Sequence, residues 1–177
     1  MDLASRLRFL VYCSVASSVS GMFINDWDKS FDFKCPAGQA VSYIASEHNN
    51  FYEDRRWEFA CRDVGATEQC VDSGYVNEFD LPVAFTCPGT SVLTGVSSYN
   101  DNHYEDRRFR FQCCSVPRGA PGDCHVTAEL NKFDEKLTLQ VPEGQVIRSV
   151  LSNHDNHYED RVWKFELCKL KKTGCRK

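Results

Sequence analysis

The stretch NHYEDRRFRF, residues 102–111, decides how the chain is read, because the chain writes it three times. Residues 50–59 read NFYEDRRWEF, and residues 156–165 read NHYEDRVWKF. With Asp54, Asp106 and Asp160 aligned, a second phrase falls into register: INDWD at 24–28, VNEFD at 76–80 and LNKFD at 130–134. Both phrases shift by 52 residues and then by 54. A third landmark keeps the same spacing: CPAG at 35, CPGT at 87 and VPEG at 141. Three landmarks in one register define an internal repeat of about fifty residues. The units read as 21–66, 67–120 and 121–177, with the Pro- and Gly-rich SVPRGAPGD (115–123) as the clearest linker.

The repeated phrase predicts strands. RRWEFAC, RRFRFQCC and RVWKFELC alternate two faces. One face carries Trp57 and Phe59, Phe109 and Phe111, or Trp163 and Phe165; the other carries charged residues such as Glu58, Arg110 and Lys164. That is the pattern of a half-buried antiparallel strand. AVSYIAS, SVLTGVSS and QVIRSVLS are β-branched runs of strand length. Between the two come EHNNFYED, YNDNHYED and NHDNHYED, read as polar loops, where Asn and Asp suit tight turns. No long helical periodicity appears. The expected fold is all-β: a single disulfide-bonded domain of three β-rich repeats around a shared core, with pseudo-threefold symmetry.

Residues 1–20 have the layout of a secretory signal peptide. MDLASRLR carries two arginines, FLVYCSVASSV is a short apolar run, and small residues precede Gly21. The run is shorter than the roughly 20 residues a spanning helix needs, and no later run qualifies, so a transmembrane segment is not expected. The expected location is extracellular, in matrix or body fluid. The formal net charge of -4 offers no broad attraction for nucleic acid.

The 177-residue chain has 10 cysteines, one of them (Cys13) inside the leader. An odd number in a secreted domain predicts disulfides plus one unpaired thiol. The repeats supply a map. Cys35 and Cys61 match Cys87 and Cys113; in the third unit both places are apolar, Val141 and Leu167. Cys70 and Cys114 match Cys124 and Cys168; in the first unit those places are Ser18 and Arg62. Joint loss is what a bond requires. The expected pairs are Cys35–Cys61, Cys87–Cys113, Cys70–Cys114 and Cys124–Cys168, with Cys175 free. Because Cys113 and Cys114 are adjacent, an exchange of their partners stays open.

Two roles are open to the phrase. In an unbroken strand Arg55, Arg107 and Arg161 share the aromatic, inward face, and a buried Arg must be paired. The nearest repeated acids are Glu53, Glu105 and Glu159, and Asp28, Asp80 and Asp134. The structural reading is a clamp in which each Arg ties the last strand of its own repeat to the first, with Asp54, Asp106 and Asp160 in the same device. The functional reading is that the preceding loop binds a ligand through Tyr52 and Glu53, His103, Tyr104 and Glu105, and His157, Tyr158 and Glu159. Aromatic and polar groups in one loop suit glycans or sulfated glycans, and three weak sites would act together.

Catalysis finds little support. Glu53 and Asp54 are adjacent, so on a strand they point to opposite faces, and no nucleophile-elbow, zincin or phosphate-loop motif occurs. Asp101, His103, Glu105 and Asp106 resemble metal ligands, but Phe51 stands where His103 and His157 do. Neither an enzyme, a metal nor a cofactor is expected.

DRRWEF (54–59), DRRFRF (106–111) and DRVWKF (160–165) resemble the repeated hexapeptide of the dermatopontin family. The leader and the adjacent Cys113 and Cys114 agree with it. The resemblance implies a secreted, non-enzymatic protein whose partners are glycans, proteoglycans, matrix proteins such as collagen, or cell surfaces. It also implies alternatives: a structural matrix component organising collagen fibrils, or a cytotoxin-like member. MFINDWD follows the leader directly, where dermatopontin proper has a Tyr-rich acidic tail, and the late cysteine cluster is one short. Both departures favour the invertebrate haemagglutinin and amebocyte aggregation factor branch, and they leave Cys175 able to form a dimer.

Overall fold

The computed structural model describes residues 22–117 and 119–172; the expected leader and Cys175 lie outside them. The β-branched and aromatic runs form the strands β1 (Phe31–Lys34), β2 (Gln39–Asn49), β3 (Asp54–Asp63), β4 (Glu68–Tyr75), β5 (Val83–Thr86) and β6 (Ser91–Asp101). They continue as β7 (Asp106–Ser115), β8 (Gly119–Val126), β9 (Leu137–Gln140), β10 (Gln145–Asp155) and β11 (Asp160–Lys172). No helix occurs among the described residues, so the chain is all-β.

Three long antiparallel hairpins carry the architecture: β2–β3, β6–β7 and β10–β11. Each long first strand has a bulge at the same place, at Ser42, Thr94 and Arg148, which increases its local bend and twist. The sheets do not follow chain order. They run β1-β6-β7-β4, β5-β10-β11-β8 and β3-β2-β9. Each short strand leaves its own hairpin and pairs with another: β1 joins the second, β5 joins the third, and β9 returns to the first. Pairing therefore closes into a cycle.

The inward faces meet in one core. Trp57, Phe109 and Trp163 contact each other edge to face, with ring centroids 4.9–5.8 Å apart. Phe59, Phe111 and Phe165 form the layer beneath them, each stacked on the aromatic of its own strand. All six are buried. Edge-to-face contact suits the ring quadrupoles and adds to the area term.

Four disulfides staple this frame: Cys35–Cys61, Cys87–Cys113, Cys70–Cys114 and Cys124–Cys168. The exchanged pairing of Cys113 and Cys114 does not occur. Adjacent strand residues point to opposite faces, so only Cys113 joins the cluster that holds Cys87. In the third hairpin Val141 and Leu167 fill the corresponding buried place. Cys70 and Cys124 instead bind the strands β4 and β8 to the hairpins beside them.

Three sequence expectations need correction. Gly119–Asp123, read as linker, lies in β8 and pairs with β11. The polar loops are shorter than read, because β2, β6 and β10 run on to Asn49, Asp101 and Asp155. Only residues 50–53, 102–105 and 156–159 turn. The clamp is also wired differently. Arg107 donates to Asp54 of the first hairpin (Nε–Oδ1 2.5 Å, Nη2–Oδ2 2.7 Å). Arg161 donates in the same bidentate way to Asp106 of the second hairpin, and Arg55 to Asp160 of the third. The ties therefore run between repeats and not within one, and the acids are those of the Asp-Arg dipeptides themselves. The reason is the alternation of a strand. Asp and Arg leave the backbone in different directions, so each dipeptide accepts on one side and donates on the other.

The clamp is completed locally. The backbone N–H groups of Asp28, Asp80 and Asp134 donate to Asp54, Asp106 and Asp160 at 2.8–2.9 Å. Asn25, Asn77 and Asn131 are buried and bracket the adjacent strand. Each amide accepts from the N–H of Trp57, Phe109 or Trp163, and donates to the C=O of Arg55, Arg107 or Arg161. The second repeated phrase is thus the backbone anchor of the first.

Replacing Arg107 by Ala strands the buried Asp54 carboxylate and is expected to cost about 3–5 kcal/mol. In urea unfolding, a double-mutant cycle of Arg107 with Asp54 should couple by more than about 1 kcal/mol, whereas Arg107 with Glu105 should couple by less than about 0.5 kcal/mol. The reverse ranking would restore the within-repeat clamp.

Candidate functional site

Each hairpin turn is set by the Asn or Asp before it. The side chains of Asn49, Asp101 and Asp155 accept from the N–H of Phe51, His103 and His157 at 2.9 Å. Their backbone carbonyls accept from Tyr52, Tyr104 and Tyr158 at 3.0–3.1 Å. Glu53, Glu105 and Glu159 then take left-handed φ values of 44°, 47° and 43° to re-enter the strand. A four-residue loop of this kind is a compact hairpin connection.

The turn sends its residues two ways. Tyr52, Tyr104 and Tyr158 face outward, with relative exposures of 40%, 43% and 42%. Each stacks on the aromatic of the second repeated phrase: Tyr52 on Trp27, Tyr104 on Phe79 and Tyr158 on Phe133, at 4.6–5.4 Å and within 9° of parallel. Phe51, His103 and His157 meet the same tyrosines edge-on. Trp27, Phe79 and Phe133 were not read as site residues. Their signal was present, since an aromatic recurs in INDWD, VNEFD and LNKFD.

Glu53, Glu105 and Glu159 turn the other way, and the structure separates them from the tyrosines. They line one central cavity together with the Arg–Asp ring. Its volume is about 20 Å³, room for roughly one water. Trp57, Phe109 and Trp163 form its floor. The three loops thus sit at the same end of the molecule. Burial pushes the Glu53 carboxyl above the usual carboxylate range; His48 opposes this, and Glu105, Asp134 and Asp160 add to it. Glu159 is raised for the same first reason, opposed by His154, with Glu105, Asp80 and Glu53 adding to the effect.

His48 and His154 were also missed, because each falls in a stretch read as polar loop, whereas β2 and β10 run on and bury it. Their side chains are 0% and 1% exposed. His48 lies 3.3 Å from Asp134 and 3.8 Å from Glu53. His154 lies 3.7 Å from Asp80 and from Glu159. At the third junction Asn100 takes this place and donates to Asp28. His48, Asp134 and Asp160 bring potential ligand atoms within 4.8 Å of one another, as do Asp80, Asp106 and His154. Asp160 and Asp106 are already held by Arg55 and Arg161, so these groups read as the polar lining of the seams.

An all-β frame closed by paired Asp-Arg dipeptides, with three aromatic turns at one end, defines a disulfide-bonded β scaffold. The chain belongs to the dermatopontin family, whose family model matches residues 25–172. It is 50% identical to dermatopontin of Biomphalaria glabrata over 147 residues, 83% of this chain and 99% of that one. It is 39% identical to the hemagglutinin/amebocyte aggregation factor of Limulus polyphemus over 154 residues, 86% of this chain and 90% of that one. Identity to Millepora cytotoxin-1 of Millepora dichotoma is 38% over 146 residues, 82% of this chain and 65% of that one. No solved structure matches the chain. No helix among the described residues is long and apolar enough to cross a membrane.

The raised Glu53 and Glu159 carboxyls have a signed consequence. A carboxyl whose folded value lies above its unfolded one binds more protons in the folded state, so stability falls as pH rises through the folded value. Glu53→Gln with Glu159→Gln should therefore raise Tm at pH 7, and the gain should vanish below about pH 4, where both carboxyls of the parent are protonated. Thermal unfolding at the two pH values checks this; a gain of equal size at both would remove the electrostatic cause.

Proposed function

We propose that the chain is a secreted, non-enzymatic adhesion or agglutination protein that binds glycans or proteoglycans at cell surfaces or in matrix. The observation that carries this reading is the held posture of Tyr52, Tyr104 and Tyr158. Each ring is part exposed, and each is fixed from behind by a parallel aromatic. A sugar presents a patch of C–H groups that packs on such a ring, and fixing the ring beforehand lowers the ordering cost of binding. The edge-on His103 and His157 add hydrogen-bonding groups beside two of the rings. The four disulfides fit an oxidising, extracellular setting. The relative named hemagglutinin/amebocyte aggregation factor lends further support.

Placement at one end shapes the mode of action. Up to three related loops face one way, and each that engages the same surface adds avidity. Cross-linking two cells with a single-ended molecule takes two copies, and Cys175 is the residue we assign to that bridge. The three ring stacks contribute about 0.5–1.5 kcal/mol each, so replacing Tyr52, Tyr104 and Tyr158 by Ala should lower Tm by roughly 5–15 °C and leave the protein folded at 25 °C. The same triple variant should lose red-cell agglutination and the binding of competing sugars or sulfated glycans. Absence of agglutination and of all glycan binding by the parent protein would overturn the reading.

A further inference from the structure

The three outward surfaces differ at one place. In the first hairpin the Arg56 guanidinium lies between two rings, 4.4 Å from the centroid of Phe23 and 4.6 Å from that of Trp27. In the second, Arg108 lies 5.1 Å from Tyr75 and 5.9 Å from Phe79. Each guanidinium is also held by a carboxylate, Arg56 by Glu47 and Arg108 by Glu78. The aromatic that backs the turn tyrosine is thus covered on its remaining side by the chain itself.

The third hairpin lacks the cover. Val162 stands at the place of Arg56 and Arg108, and Glu129 at that of Phe23 and Tyr75. Phe133 still stacks on Tyr158. A groove of about 330 Å³ opens on the uncovered side, lined by Glu129, Lys132, Phe133, Glu135, Tyr158 and Val162. A second groove, of about 240 Å³, borders Val162 from the side of Asn153 and Lys164. The lower end of ordinary ligand sites is about 300 Å³, so the first is large enough for one sugar ring.

We infer that this groove is the principal saccharide site of the molecule, and that the first two hairpins fill their equivalents with their own arginines. The inference rests on the glycan reading above and gives it an address. The chemistry of the lining selects the occupant. A cationic side chain from a partner would copy Arg56 and Arg108, but both carboxylates that hold those guanidiniums are gone here. Glu47 corresponds to Asn153, and Glu78 to Lys132. What remains is an aromatic wall with donors and acceptors around it. Lys132 donates, Glu135 accepts, and Glu129 is steadied by Lys164 at 3.1 Å while keeping acceptor capacity. A neutral ring carrying hydroxyls on its edge and C–H groups on its face matches that mixture.

Val162→Arg tests the assignment, because it rebuilds the cover that the other hairpins tolerate. Glycan-array screening selects the best saccharide, and calorimetry then measures its affinity. The variant should bind at least about tenfold more weakly with its fold intact. Lys132→Glu, at an exposed position, should weaken binding in the same direction and serves if Val162→Arg does not fold. Arg108→Val should open a second groove and raise the stoichiometry from one towards two. Parent-like binding by Val162→Arg, with binding lost on Tyr52→Ala and Tyr104→Ala, overturns the groove and leaves the loop reading intact. No saccharide bound by the parent protein removes both. Binding of an arginine-rich peptide in place of any saccharide, abolished by Val162→Arg, overturns the choice of occupant.

Discussion

A guanidinium taken out of water must be neutralised and hydrogen-bonded where it lies. Three of them lie at the centre of this molecule, each with a side chain only 4% exposed. Their partners are three carboxylates that are just as buried. Because Asp and Arg are adjacent in sequence, no hairpin satisfies its own pair. Each needs a neighbour on both sides, and three needs of this kind close on themselves. It is the logic of a head-to-tail ring of subunits, carried out within one chain. The exchanged strands β1, β5 and β9 obey the same cycle, so backbone pairing and buried charge select one arrangement of the hairpins.

Such a ring is weak evidence for net stability, since desolvation offsets much of the attraction. Its effect is on what is permitted. A hairpin slipped by one residue would turn its Asp and Arg to the wrong faces, break two of the three pairs and leave a buried charge unpaired on each neighbour. Stability has other sources here: the aromatic layers beneath the ring and the four disulfides. The ring also holds the turns. Glu53, Glu105 and Glu159 precede the ring aspartates directly, so the tyrosines one residue earlier are displayed from a fixed base.

Much of this was legible in the sequence. The alternation in DRRWEF, DRRFRF and DRVWKF marks a strand with an aromatic inner face, and the joint loss of cysteines marks pairs. The partner of each Arg was not legible. Three copies of one dipeptide give identical local patterns whether the tie is within a unit or between units, and only the exchange of β1, β5 and β9 decides it. The length of the turns was hidden for a related reason. Asn, Asp and His read as loop residues, yet Asn49–Asp54, Asp101–Asp106 and Asp155–Asp160 are paired across the hairpin ends. The place of the tyrosines in the turns was legible, but the rings behind them were not, because Trp27, Phe79 and Phe133 lie about 25 residues away in a phrase read for its acids.

Internal repetition separates frame from surface in a way a single copy could not. Inward places carry the same chemistry three times: Asn, Asp, Arg and an aromatic, in fixed geometry. Outward places on the same strands do not. Arg56, Arg108 and Val162 share one position, as do Glu47, Tyr99 and Asn153 across the hairpin. The frame tolerates these exchanges because outward side chains touch neither the ring nor the aromatic floor. A frame that demands identity inside while leaving the outside free can carry three different surfaces at one end. Where two of those surfaces are occupied by arginines of the chain and the third is open, sameness of fold does not mean sameness of site. The functional question then falls on the one hairpin that departs from its siblings.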